Sequence, residues 1–162
     1  MTIADTFTGA KSGLTFLYAY QGTVAQEIGA QRAVALNSRM AKAMGTAQGK
    51  ALKERVDVEE IPPKLAASLA GTFLEQALGI QSRVAEGTAE KAVIEVGRCP
   101  IYEAAEALGM ENTGIEALCR AGAIQYMDVL IKEFNPDLAY DLRQFRPSAD
   151  ASCIEAIVAD GR

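Results

Sequence analysis

The chain has 162 residues and no histidine, and its 21 acidic and 16 basic side chains give a formal net charge of −5. Apolar residues make up 49% of it, enough for residues 1–162 to bury a core as a single domain. Without histidine, the chain cannot carry a serine–histidine triad or a histidine-bound zinc ion. Its acidic charge argues against a nucleic-acid surface.

Residues 1–79 are predicted to be mainly helical. Residues 1–13 have little periodic signal and are expected to form a loosely tied start. From Leu14 to Lys53 apolar side chains recur at helical spacing, but one uninterrupted helix of that length would exceed the diameter of such a domain. The helix is therefore expected to break near Gly45 or Gly49, or to pack on a second copy. Small side chains along it favour a homodimer.

The next segments predict a helix followed by a hairpin. A polar connector from Asp57 to Pro63 ends in two prolines, which suit the entry to a second helix that ends at Gly79. Two short strands are predicted next, at residues 80–86 and 91–97, because their apolar side chains alternate and a glycine-containing turn lies between them.

Two helices are predicted after this hairpin. Cys99-Pro100 opens a short helix that ends at Gly109. A longer helix, capped by Asn112 or Thr113, continues to Phe134, where an Asn-Pro pair stops it.

Two further strands, Leu138–Leu142 and Cys153–Val158, complete the pattern. Over residues 80–162 the order is therefore hairpin, two helices, hairpin. This order predicts an α+β fold, in which helices cover one face of an antiparallel sheet of about four strands.

Three cysteines, Cys99, Cys119 and Cys153, are the residues best suited to chemistry. Each is also explained as a small buried apolar side chain, and the absence of a C-x-x-C pair means that spacing alone does not specify a metal. Cys99 stands at a helix start, where the pKa of a thiol is expected to be lowered. If the three thiolates meet in one pocket, they require a cation: zinc, or alternatively an iron–sulfur cluster.

Other side chains extend this hypothesis. Three glutamates are candidate ligands or proton carriers, although each is also explained as a solvated surface residue. Glu95 is placed on the strand face that leads to Cys99, Glu155 on the face of Cys153, and Glu103 one helical turn after Cys99. Four aromatic side chains are either ordinary core or the lining of a pocket between sheet and helices: Tyr102, Tyr126, Phe134 and Tyr140.

Several short segments carry a family resemblance: Val96-Gly97-Arg98-Cys99-Pro100, Leu108-Gly109, Leu118-Cys119, Asn135-Pro136 and Asp150-Ala151-Ser152-Cys153. Together they resemble a prokaryotic family of 4-vinyl reductase-like small-molecule-binding domains and L-2-amino-thiazoline-4-carboxylic acid hydrolases, over about residues 80–160. The resemblance implies an α+β domain that often dimerises. It also implies that the three cysteines are metal ligands or reactive thiols.

Three functions are therefore considered. The first is a small-molecule-binding domain whose cysteines hold zinc or an iron–sulfur cluster beside an apolar pocket. The second is a metal- or thiol-dependent hydrolase of a small cyclic C–N or C–S substrate, in which Glu103, Glu95 or Glu155 moves protons. The third is a structural or chaperone subunit of a larger complex. A cytoplasmic location is expected, because neither a membrane span nor a signal-peptide pattern is evident.

Overall fold

A computed structural model of the chain describes residues 2–55 and 61–159. Six helices and four strands occur in these ranges: α1 (Ile3–Ile28), α2 (Ala30–Lys53), α3 (Pro63–Leu78), β1 (Ser82–Gly87), β2 (Lys91–Val96), α4 (Pro100–Ala107), α5 (Asn112–Ala121), α6 (Ala123–Phe134), β3 (Leu138–Gln144) and β4 (Cys153–Ala159). The α+β prediction is confirmed. Residues 57–60 of the predicted connector lie outside the described residues. No helix within the described ranges has the length and apolar character needed to cross a membrane.

The chain is helical almost from its start. Thr2 caps α1 by accepting a hydrogen bond from the Asp5 amide at 3.1 Å, while the Asp5 carboxylate accepts one from the Thr2 amide at 2.9 Å. This reciprocal pair is a capping box, a local signal that fixes a helix start. Phe7, one turn later, is buried. The expectation of a loosely tied segment over residues 1–13 is therefore wrong.

The first helical break lies at Gly29, and not at Gly45 or Gly49 as expected. Gly29 has φ 87° and ψ 145°, a conformation that side chains disfavour, and it separates α1 from α2. Gly45 and Gly49 instead lie inside α2, against the backbone of α6. A Cβ atom on Gly49 would stand 2.8 Å from the Leu130 carbonyl oxygen. These two glycines therefore allow close helix packing.

The long helix predicted to end at Phe134 is divided at Gly122 into α5 and α6. A Cβ atom on Gly122 would lie 2.9 Å from the side-chain nitrogen of Asn37 in α2, so α2 packs closely against the chain at this break. The N-cap of α5 is Glu111, without a side-chain hydrogen bond, and the predicted cap at Asn112 or Thr113 is wrong. The predicted end of α3 at Gly79 is confirmed by its left-handed φ of 67°.

The four strands form one antiparallel sheet in the order β1-β2-β4-β3. Helices α3 and α6 pack against it. The register places Cys153 beside Val96, and places Glu155 between Ile94 and Leu142. All five side chains are buried, so Cys153 and Glu155 belong to the helix-covered face, together with apolar neighbours.

Candidate functional site

The three cysteines line one largely buried space between the sheet and helices α4, α5 and α6, hereafter the inner cavity. Cys99 directly precedes α4, Cys119 lies on α5 and Cys153 begins β4. All three are free thiols. The cavity has a volume of about 40 Å³, which is room for about three waters. Its polar lining also includes Tyr102, Tyr140, Arg146 and Glu155.

Arg146, in the loop after β3, is the cationic residue of this cavity. Its side chain is buried, with 1% of the residue exposed. Nε donates a hydrogen bond to the Cys153 sulfur at 3.3 Å, and Nη2 donates to the carbonyl oxygens of Val96, at 3.1 Å, and Gly97. Nη1 has no acceptor among the described residues. The guanidinium group is therefore held in place with one nitrogen unsatisfied.

No carboxylate of the described residues forms an ion pair with Arg146. Its acceptors are two backbone carbonyls and a cysteine sulfur, and its Cζ atom lies 5.8 Å from the centroid of the Tyr102 ring. A buried charge is stable only when nearby groups compensate for the water it has lost. The compensation of Arg146 by the chain itself is incomplete.

Tyr140 and Glu155 form a buried pair in the same cavity, in which the Tyr140 hydroxyl donates a hydrogen bond to Glu155 Oε2. Burial raises the pKa of Glu155, although the hydrogen bond from Tyr140 and the charge of Arg146 act in the opposite direction. Burial, together with Glu155, also raises the pKa of Tyr140. Glu155 therefore keeps its proton to a higher pH than an exposed glutamate does.

Burial also keeps two of the thiols protonated. The pKa of Cys99 is raised to about 11, because burial outweighs the lowering effects of the Tyr102 backbone amide and Arg146. The sequence expectation of a lowered pKa is therefore wrong: the helix start does not compensate for the loss of water. Burial raises the pKa of Cys119 as well, and Glu155 raises it further when it is ionised.

A zinc ion or an iron–sulfur cluster does not fit this arrangement of side chains as it stands. In the part of the chain that the structure describes, no group of three or more cysteine, aspartate or glutamate side chains is placed to hold a metal ion. The guanidinium of Arg146 already contacts the sulfur of Cys153. The zinc or iron–sulfur centre stays a prediction.

Glu103 and Glu95 lie away from the cavity. Glu103 joins α4 to α1: its Oε2 atom is 2.9 Å from Lys11 Nζ and 3.0 Å from Arg98 Nη2. Burial acts to raise the pKa of Glu103, but Arg98 and Lys11 together lower it below its usual value. Glu95 pairs with Arg83 across the β1–β2 hairpin. Of the three candidate glutamates, only Glu155 lines the inner cavity.

A second, larger space lies beside the inner cavity, between α1, α2, α3, α5 and α6. This apolar groove has a volume of about 330 Å³, and its lining includes Leu17, Tyr18, Met40, Met44, Phe73 and Tyr126. Four residues line both the groove and the inner cavity and form the shared wall between them: Leu74, Ile101, Ala123 and Met127. The two spaces are therefore separated by the thickness of one side-chain layer.

The four aromatic side chains that were predicted to line a pocket lie in three different parts of the structure. Tyr102 and Tyr140 line the inner cavity, and Tyr126 lines the apolar groove, where its ring stacks on Phe73 with a centroid separation of 5.8 Å. Phe134 is buried in the main hydrophobic core and is not among the residues that line either space. Sequence reasoning missed Arg146, because a single arginine in a loop belongs to no motif.

Comparison with known proteins gives a family and a fold. The family model of the L-2-amino-thiazoline-4-carboxylic acid hydrolases matches residues 10–144. The structure is similar to a crystal structure of the phenol-responsive sensory domain of the transcription activator PoxR with phenol, with a TM-score of 0.61 and 11% sequence identity. The likeness covers 90% of this chain and 74% of that chain. No curated protein matches the sequence. The family match ends before Arg146, Cys153 and Glu155.

Proposed function

The chain belongs to the L-2-amino-thiazoline-4-carboxylic acid hydrolase family, and we propose that it binds a small organic molecule that reaches the inner cavity from the apolar groove. The observation that carries this proposal is the shared wall between the two spaces. Met127 is part of that wall, and methionine is the apolar side chain that most readily adapts its shape. A rotation of Met127 would join groove and cavity into one site.

The distribution of polar groups supports the same proposal. Small-molecule sites are mostly apolar, with a few convergent polar groups that orient the ligand. Here Arg146, Tyr140 and Glu155 converge at the inner end, while the groove is lined largely by apolar side chains. The phenol-bound sensory domain has the same fold, which supports a ligand of similar size. The body of the ligand would occupy the groove and its polar end the cavity.

Filling the shared wall tests this site. We expect Ala123→Leu to weaken binding of phenol or L-2-amino-thiazoline-4-carboxylic acid by about 10- to 100-fold, because the larger side chain occupies space that the ligand needs at the shared wall, and steric conflict of this size costs about 1–3 kcal/mol. Isothermal titration calorimetry measures the affinity. Ala47→Leu adds the same atoms on an exposed part of α2 and is expected to leave binding unchanged. Equal affinities in the two variants, or no binding of either compound by the wild type, would contradict the proposal.

Hydrolysis is a second candidate function, favoured by the family match and by Glu155 in the cavity. As a water oxygen bonds to the ring carbon, a protonated Glu155 would donate its proton to the ring nitrogen or sulfur that leaves that carbon when the C–N or C–S bond breaks. The resulting carboxylate would take a proton from the attacking water, so that one water is consumed and Glu155 is regenerated. Turnover of L-2-amino-thiazoline-4-carboxylic acid by the wild type, and its loss in Glu155→Gln, would establish this activity.

A metal centre at Cys99, Cys119 and Cys153 is the competing proposal for the same cavity. Its support is that the three sulfurs line one space. It requires Arg146 to leave the Cys153 sulfur and the thiols to lose their protons. One zinc ion or iron–sulfur cluster per chain, lost in Cys153→Ser, would establish the centre. The metal, and not Arg146, would then be the cation that the cavity holds.

The homodimer predicted from the sequence stays a proposal. Its support is a set of large apolar side chains that are exposed on α1 and α2, including Phe16 at 78%, Tyr20 at 61% and Met44 at 57%. Exposed apolar surface of this kind marks sites of protein association when the side chains are contiguous. Because α1 and α2 also line the apolar groove, a second copy there would cover part of its entrance.

A further inference from the structure

We infer that Arg146 is the residue that recognises the ligand of the inner cavity, and that its Nη1 binds a carboxylate carried on an apolar body. This inference rests on the proposed function, because it requires the inner cavity to be a ligand site. It adds the residue that recognises the ligand and the charge that this residue requires. Arg146 lies beyond the segment matched by the family model, residues 10–144, so the inference comes from the geometry of this chain.

Arg146 carries a buried charge that the chain does not fully satisfy. Arginine is always protonated in proteins, and its planar group presents several N–H donors. At Arg146 two of the three nitrogens are occupied, by the Cys153 sulfur and by the backbone carbonyls of Val96 and Gly97. These contacts fix the orientation of the guanidinium. Nη1 is left without an acceptor among the described residues, although Arg146 is 1% exposed and lines the cavity.

No carboxylate of the described residues pairs with Arg146 in the cavity. Glu155 is the only carboxylate residue in the described lining of the cavity. It accepts its hydrogen bond from Tyr140 and lies outside ion-pair distance of Arg146. A buried N–H of a charged group is more expensive to leave unsatisfied than a neutral one. A carboxylate from outside would satisfy both the charge and the free donor, since guanidinium and carboxylate match in geometry.

The volume of the inner cavity limits how much of the ligand can enter it. The inner cavity has room for about three waters, a volume that suits a carboxylate but not a ring. The remainder must therefore stay on the groove side of the shared wall, where Leu74 and Met127 are apolar. The described lining of that groove holds no charged side chain that could pair with a second charge on the ligand. The surroundings consequently favour one carboxylate on a largely apolar body.

A pair of near-isosteric probes tests the inference in the full chain. Phenylacetate carries the anion, and phenylacetamide has the same shape without the charge. We expect wild type to bind phenylacetate about 10- to 100-fold more tightly by calorimetry in a carboxylate-free buffer, because hydrogen bonds to charged groups contribute about 1.5–3 kcal/mol. We expect Arg146→Met to abolish this preference. Arg39→Met, which removes the same charge from an exposed position of α2, should retain it.

The outcomes separate the inference from the proposed function. If wild type binds both probes equally, the anion inference is wrong and the small-molecule site stands. If it binds neither probe and does not bind phenol, both are wrong. Arg146→Met removes the donor to Val96 and Gly97 and can fail to fold, so arginine side-chain NMR of the wild type gives a second readout. Phenylacetate should shift the Arg146 resonance and phenylacetamide should not; an unmoved resonance with bound phenylacetate overturns the inference.

Discussion

Gly45→Ala is expected to lower the free energy of unfolding by about 2–3 kcal/mol, the upper range for overpacking in a well-packed interior. A Cβ atom at this position would collide with the Tyr126 carbonyl oxygen and would lie 2.6 Å from Val129 Cγ2. Both atoms belong to α6, and a backbone carbonyl cannot move away without shifting that helix. Urea unfolding followed by far-ultraviolet circular dichroism measures the change, since the chain has no tryptophan.

Gly22→Ala is the matched control. Gly22 lies inside α1, and a Cβ atom added there would meet no atom within 4 Å. Alanine is the better helix former, so this variant is expected to be about 0.5–1 kcal/mol more stable than wild type. The same substitution therefore has opposite signs in the two helices. A Gly45→Ala variant as stable as Gly22→Ala would mean that α2 and α6 do not pack in close contact.

These glycines also explain why part of the fold could not be predicted. In sequence, Gly29, Gly45 and Gly49 carry the same signal, a helix-weakening residue inside a helical pattern. Only Gly29 ends a helix, whereas Gly45 and Gly49 allow α6 to approach. The difference depends on residues about 80 positions away in the chain. The strands and the end of α3 were predictable, because alternation and the glycine at position 79 are local signals.

For the candidate site too, the sequence predicted only what depends on neighbouring positions in the chain. Side chains two positions apart on a strand share a face, and this rule correctly placed Glu155 with Cys153 on the covered face. The same rule also placed Glu95 on the strand face that leads to Cys99, but β2 ends at Val96 and Glu95 pairs with Arg83 away from the cavity. Arg146 was missed since arginine is a surface residue in most proteins, and its burial depends on carbonyls contributed by the end of β2 and the residue after it.

Glu155→Gln is expected to make the protein more stable than wild type at neutral pH, and increasingly so as the pH rises. Burial raises the pKa of Glu155 in the folded state, so folding favours the protonated form. Its stabilisation is complete below the unfolded pKa of about 4.3 and is lost as the pH rises toward the folded-state pKa. The loss is at most about 1.4 kcal/mol per pH unit. Glutamine does not titrate, and its carbonyl still accepts the hydrogen bond from Tyr140.

The measurement is urea unfolding of wild type and variant from pH 4 to pH 8, with the difference between the two curves as the readout, so that other titrating groups cancel. Glu103→Gln is the matched control with the opposite sign. Lys11 and Arg98 lower the folded-state pKa of Glu103, so its carboxylate stabilises the fold at neutral pH and this contribution is lost as the pH falls. Glu103→Gln is therefore expected to be less stable than wild type at neutral pH, and to approach it in acid.

The Glu155→Gln curve also bears on what balances the charge of Arg146. If Glu155 remained ionised in the folded protein as the counter-ion of Arg146, its replacement would destabilise the fold at neutral pH, as at Glu103. The chain would then supply its own anion, and a carboxylate ligand would not be required. If instead Glu155→Gln is the more stable protein, folding favours the protonated form of Glu155, and Glu155 is not held as the counter-ion of Arg146. The charge of Arg146 then remains available to a ligand that enters from the apolar groove.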